Sequence, residues 1–182
     1  LSRKVLDELN SAPCLDFNSV HYIAAFDSSY VEDKQCAVVV IYDVVKSEVV
    51  ERAYTAVKVN VPYIPGLLAF REVPGYVRVY KKISVEPDVL LVDGHGLSHP
   101  RALGIATHLG LVLSKPSIGV AKKHLYGKIL EKEGRRLIYA HGRIVGEVIE
   151  HRNTQLYVSI GYRVKLEDAV NLVKKLLSKD KK

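Results

Sequence analysis

Asp88-Val89-Leu90-Leu91-Val92-Asp93-Gly94 is the stretch that decides the fold. Its apolar run is too short for a helix and reads as a strand, which Asp93-Gly94 stops. Downstream, Pro100 opens a predicted helix with Ala102, Ile105, Ala106, Leu109, Val112 and Leu113 at apolar positions. Upstream, residues 20–26 form a second buried-strand pattern, ending at Asp27-Ser28-Ser29. Two β-branched runs follow at residues 37–45 and 49–59, joined by Lys46-Ser47-Glu48 as a hairpin. Pro62 and Pro65 force an extended loop, and Pro74 fits a helix's first turn, with Tyr76, Val77, Tyr80 and Ile83 behind it. Residues 117–120, 127–149 and 156–160 read as further strands. Residues 166–177 close the chain as an amphipathic helix on Leu166, Ala169, Val170, Val173, Leu176 and Leu177. Strand, hairpin and helix, then alternating strands and helices, predict a three-layer α/β or α+β fold with a mixed central sheet.

Working outward to the whole chain, 182 residues suit one domain, and none of the sequence looks like a linker or a repeat. A 48% apolar and 26% charged composition is globular, and a chain this long buries roughly 70% of its unfolded surface without disulfide or metal. Cys14 and Cys36 are too few for a disulfide scaffold and too distant for a Cys-x-x-Cys motif. The longest apolar run, residues 36–42, falls far below the roughly 18 residues of a membrane span. With no basic-then-apolar leader at the N-terminus, a soluble cytoplasmic protein without membrane contact is expected. The sequence opens at Leu1 and contains no Met, so the initiator end is expected to be missing. The basic tail at 174–175 and 178–182 reads as a frayed, solubilising end. The net charge of 27 − 20 = +7 favours an anionic partner, although many basic proteins bind nothing acidic.

The chain has no P-loop, no G-x-S-x-G elbow and no H-E-x-x-H pair, and Gly94-His95-Gly96-Leu97-Ser98-His99 lacks the third glycine of a dinucleotide loop. This sets aside P-loop ATPases, α/β-hydrolases and zincins. What remains is acidic residues at strand ends, Asp27 and Asp93. In an open sheet, sites lie beyond the carboxyl ends of the strands, where such side chains converge. Converging carboxylates suit Mg²⁺, which takes hard oxygen ligands. The alternative for either one alone is a turn residue or helix cap. His95 and His99 with Asp93 have a superficial zinc spacing, which the intervening glycine and Pro100 disfavour.

Four ordered motifs carry a resemblance. Asp27-Ser28-Ser29-Tyr30 is similar to the D-x-S-Y motif of endonuclease V, and Pro62-Tyr63-Ile64-Pro65-Gly66 through Phe70-Arg71-Glu72 to its P-Y-I-P-G…F-R-E segment. Val92-Asp93-Gly94-His95-Gly96, His99-Pro100-Arg101 and residues 104–110 resemble its longest signature, and Ile118-Gly119-Val120-Ala121-Lys122 its I-G-V-A-K. Order and spacing hold from Asp27 to about Arg163, most of the chain. One departure is Gly161-Tyr162, where the family often has Gly-His; it puts that histidine's proton or metal-shell duties in doubt.

The resemblance implies a ribonuclease-H-like fold and a metal-dependent endonuclease. Such an enzyme cuts the second phosphodiester 3′ to deoxyinosine in DNA repair, and some members prefer inosine in RNA. It implies Asp27, Glu72 and Asp93 as ligands of Mg²⁺, with Mn²⁺ the alternative ion, and a nucleic-acid partner; a monomer is expected. It places His99 and Lys122 beside the phosphate, where a cation stabilises developing charge. Otherwise they are an exposed loop histidine and a solvated lysine. Tyr63 is implied as the wedge filling the gap left by an extruded base, against the alternative of a surface tyrosine packed under its loop. Gly66, Leu68, Gly94, Gly96, Ile105 and Leu125 are implied to line the lesion pocket, the glycines letting main-chain groups read a base edge. Core packing is the alternative for Leu68, Ile105 and Leu125. A non-catalytic nucleic-acid-binding domain and a ribonuclease-H-type nuclease of other specificity stand as competing functions.

Overall fold

The computed structural model describes residue 3 and residues 14–179; the leader reading and the last residues of the basic tail lie outside them. Among the described residues nine strands form one sheet: β1 (Tyr22–Val31), β2 (Lys34–Asp43), β3 (Glu48–Lys58), β4 (Val89–Asp93), β5 (Ser117–Ala121), β6 (Lys128–Lys132), β7 (Arg135–Ala140), β8 (Arg143–His151) and β9 (Thr154–Tyr162). Their order is β3-β2-β1-β4-β5-β9-β8-β7-β6. β1, β4 and β5 run parallel and every other pairing is antiparallel, so the sheet is mixed as expected.

The helices cover both faces. α1 (Leu68–Tyr80) and α2 (Ile105–Leu113) share one core with Ala24, Phe26, Val39, Ile41, Leu90 and Val92. α3 (Leu166–Lys179) packs Val170, Leu172 and Val173 with residues of β8 and β9, including Val148 and Val158. This is the three-layer arrangement that alternating strands and helices require.

Three boundaries differ from expectation. β1 runs on through Asp27 to Val31, because antiparallel pairing with β2 continues after parallel pairing with β4 stops at Phe26. Pro74 lies inside α1 rather than at its first turn, and Ile83 lies beyond the helix. Buried Ala69, Val73, Tyr76 and Val79 hold that helix, while Pro74 and the residue four before it, Phe70, are exposed, so a Phe70 carbonyl deprived of its amide donor can turn to water. Pro100 does not open α2, which starts at Ile105 after Ala102 takes φ 49° and Gly104 caps the helix.

The two parallel strands are pinned at their amino ends. Asp88 Oδ2 accepts from the backbone N–H of both His21 and Tyr22, each at 2.8 Å. That fastening sets the β1–β4 register, so Phe26 pairs with Val92 and the next residue on each strand is acidic.

Candidate nucleic-acid cleavage site

The carboxyl end of the β1–β4 ladder carries Asp27 and Asp93, both exposed. The two carboxyl groups lie close enough to act on one another. Partial burial, hydrogen bonding with Asp27 and repulsion by Asp27 push the Asp93 carboxyl up to about 6, while Lys122 pulls against them. Asp27, Asp93 and Lys122 edge an open cleft floored by Ala25, Leu91 and Leu156.

Glu72 approaches from α1 and is buried. Ser28 and Tyr30 alternate with Asp27 along β1 and so fall on the face of Ala24 and Phe26, toward α1. The Tyr30 hydroxyl donates to Glu72 Oε1 at 3.2 Å, and Ser28 donates to the same carboxyl. Tyr76 in turn donates to Ser28 Oγ at 3.3 Å. Burial nevertheless holds Glu72 above the usual carboxylate range, with Asp93 and Asp27 adding repulsion. The Tyr30 phenol, partly buried and facing Glu72, is pushed up to about 12. The period-two alternation along β1 is the sequence signal that places Ser28 and Tyr30 beside Glu72.

Among the described residues, no three His, Cys, Asp or Glu side chains are gathered so as to cage an ion on their own. That leaves the zinc spacing of His95 and His99 without support. The Asp27–Asp93 pair is a different kind of site: two hard oxygen donors whose mutual repulsion a divalent cation would relieve. Mg²⁺ ordinarily binds through one or two carboxylates, keeping water and substrate oxygens for the rest of its shell. The donor set fits such an ion.

His99 is buried rather than an exposed loop residue. Its Nδ1 accepts from Arg101 N–H at 3.1 Å and its ring also bonds the Gly66 backbone, while burial holds its pKa below the usual histidine range. Its contacts brace the loop at 59–67 against the segment after β4. Lys122 is exposed and close enough to Asp93 to feel its charge.

The glycines answer mainly to packing. Gly94 N–H donates to Val120 O at 2.9 Å and Gly96 N–H to Ser159 Oγ at 2.8 Å. A Cβ at Gly96 would collide with the Ile160 carbonyl, and one at Gly94, where φ is 146°, with Ile105. Ile105 is accordingly core. Gly96→Ala is expected to destabilise the fold by roughly 1–3 kcal/mol, since the obstacle is backbone and cannot rotate aside. A denaturant titration with an unchanged midpoint would contradict this. Gly66 differs: its φ is 81° and no atom lies where a Cβ would go, so the left-handed turn rather than packing calls for glycine there. Leu68 and Leu125 are exposed, at 38% and 50%, and Tyr63 stands out at 65% between its two prolines.

Tyr162 is buried opposite Ser117, at the far end of β5 from Val120 and Asp93. The departure from Gly-His thus falls away from the acidic pair. A separate cavity between β7, β8 and α3 contains Arg135 and Glu147, which are already paired at 2.8 Å, with Glu167 as a second partner of Arg135.

Residues 3–182 match the family model described as Endonuclease V. The chain is 52% identical over 180 residues to an endonuclease V of Desulfurococcus amylolyticus, covering 97% of this chain and 81% of that one. A crystal structure of an endonuclease V from Bacillus subtilis superposes with a TM-score of 0.84 at 28% identity, covering 96% of this chain and 81% of that one. The endonuclease V of Ciona intestinalis, solved with a 24-mer DNA containing an inosine followed by a ribo-adenosine, shares the fold at a TM-score of 0.79 and 24% identity, covering 95% and 86%.

Proposed function

The chain belongs to the endonuclease V family, and on that premise we propose that it is a divalent-cation-dependent endonuclease acting on deoxyinosine in DNA repair. The proposed cut is the second phosphodiester 3′ to the lesion, with inosine-containing RNA as a further substrate and residues 1–182 as one monomeric catalytic domain. The observation that carries the reading is the Asp27–Asp93 pair at the end of the parallel ladder, backed by Glu72 and flanked by Lys122. The deoxyinosine assignment is supported by family membership and by the inosine-containing DNA bound to the Ciona relative.

Asp27 and Asp93 would hold Mg²⁺ or Mn²⁺, with Glu72 as the third carboxylate facing them. When bound, such an ion would supply a water of lowered pKa and offset charge on the leaving oxygen. The chain's own groups do the rest. Ser28 and Tyr30 hold the Glu72 carboxyl by hydrogen bonds. Lys122 places a positive charge where the scissile phosphate must lie. His99 braces the loop carrying Tyr63 through Gly66. Tyr63 fills the gap left by the extruded base, which Gly66, Leu68 and Leu125 would flank.

The test is cleavage of matched inosine-containing and plain strands, DNA and RNA, with and without Mg²⁺. Metal-dependent cutting confined to inosine strands is the expected result. Cutting indifferent to inosine would remove the repair assignment in favour of another nuclease specificity. Binding without cutting on every strand would mean a non-catalytic module.

A further inference from the structure

A second pocket sits one hydrogen bond away from His99. The loop leaving β5 ends at Tyr126 and turns at Gly127, φ 105°, into β6. Beside that turn is an open cavity lined by Tyr126, Gly127, Lys128, Tyr139, Ala140 and His141. Its volume of about 420 Å³ accommodates a purine ring. Lys128 and Tyr139 are directly opposed across the β6–β7 ladder, so both side chains project from the same face. The small residues Gly127 and Ala140 leave the space, and three rings wall it.

The rings are fastened to the site rather than to each other alone. Tyr126 stacks on His141 with centroids 5.5 Å apart and planes 26° from parallel. The His141 ring bonds the His99 carbonyl oxygen at 2.7 Å, and the Ser98 hydroxyl donates to the Tyr126 carbonyl. His124 bonds the Gly127 carbonyl oxygen at 2.8 Å, holding the turn. Yet Tyr126 and Tyr139 remain 39% and 41% exposed, more than rings that merely pack a turn would leave. No carboxylate lines the cavity, and Lys128 stands at its rim.

Flat π-faces beside a cation, in a lining that holds no carboxylate among the described residues, match the chemistry of a base and its phosphate. We propose that this pocket takes a nucleobase flanking the lesion on the bound strand, stacked on Tyr126 and Tyr139 with its phosphate at Lys128. The assignment rests on the reading of the chain as an inosine-directed nuclease, and it adds a contact outside the lesion pocket.

Photocrosslinking tests it. 5-Iodouracil is placed at each nucleotide flanking the inosine in turn and irradiated with the Asp93→Asn protein, which leaves the strand intact. Mass spectrometry then maps the linked residue. The expected result is linkage to Tyr126 or Tyr139 from a restricted set of positions. Affinity should fall about tenfold in Tyr126→Ala and hold in Tyr126→Phe. Tyr139→Ala, on a strand rather than the loop, should weaken binding similarly and guards against a misfolded turn. Linkage only elsewhere, while inosine strands still bind in preference to plain ones, overturns the pocket and leaves the functional reading intact. Linkage to Tyr126 regardless of position or inosine makes it a nonspecific surface and also overturns the proposal. Equal binding of inosine and plain strands overturns both.

Discussion

Asp93→Asn is expected to lose at least about a thousandfold in strand cutting, the scale of removing a group that stabilises transition-state charge. A neutral amide is a poor ligand for a hard divalent cation, and Asp27 alone would be left to hold it. Binding of the substrate should survive or tighten, since one negative charge facing the phosphates disappears. Single-turnover cutting at ordinary millimolar metal, together with a separate binding measurement, gives both numbers. Near-wild-type cutting by the variant would end the assignment of Asp93 as a metal ligand.

The same substitution has a second readout that needs no substrate. The Asp93 carboxyl ordinarily titrates near 3.8 and is raised to about 6 in the folded chain. The folded state therefore binds more protons than the unfolded state between those values, and the metal-free protein loses stability as pH rises through that window. Below it Asp93 carries its proton in both states and repulsion by Asp27 is quenched. Asp93→Asn removes the repulsion, so the variant should melt higher than wild type at neutral pH without metal and converge with it in acid. Added Mg²⁺ should narrow the neutral-pH gap by stabilising wild type selectively. A variant that melts lower than wild type at neutral pH would show that Asp93 and Asp27 are not in repulsive contact.

How much of this was visible in the sequence varies from residue to residue. The apolar runs before Asp27 and Asp93 disclosed the two strands, because a parallel strand covered on both faces leaves a dense local signal. Their convergence was not local: it depends on Asp88 tying the start of β4 to His21 and Tyr22, a contact spanning 66 and 67 residues. Glu72 was reached only through a motif, since its place on α1 was hidden by Pro74, which suggested a helix starting six residues later than it does. The helix tolerates that proline because its buried stripe outweighs one lost hydrogen bond on the solvent side. The glycines were legible as positions where a side chain cannot go. What they make room for was not: at Gly94 the close neighbour is Ile105, across the turn before α2, and at Gly96 it is the Ile160 carbonyl, from a strand much later in the chain. His99 was legible as a candidate, but its burial and backbone bonds, which no spacing encodes, fix its place in the fold.

Tyr63→Ala tests recognition apart from chemistry. The ring stands on a loop stiffened by Pro62 and Pro65 and is 65% exposed, so an apolar face is presented to solvent. A side chain already restricted loses little freedom on binding, which favours an insertion role over idle exposure. If the ring replaces an extruded base in the stack, its removal should weaken binding by roughly 1–3 kcal/mol, the range for base–aromatic stacking. The carboxylates lie on other elements, so cutting should persist at saturating enzyme. The loss should be larger in duplex than in single-stranded substrate, where less stacking has to be replaced, and Tyr63→Phe should behave nearly as wild type because the hydroxyl takes no part. Folding should be unaffected, since the side chain is too exposed to support the core. Equal binding by wild type, Tyr63→Ala and Tyr63→Phe on both substrates would reduce Tyr63 to an ordinary surface residue, and the exposed apolar loop from Val61 to Ile64 would then need another partner.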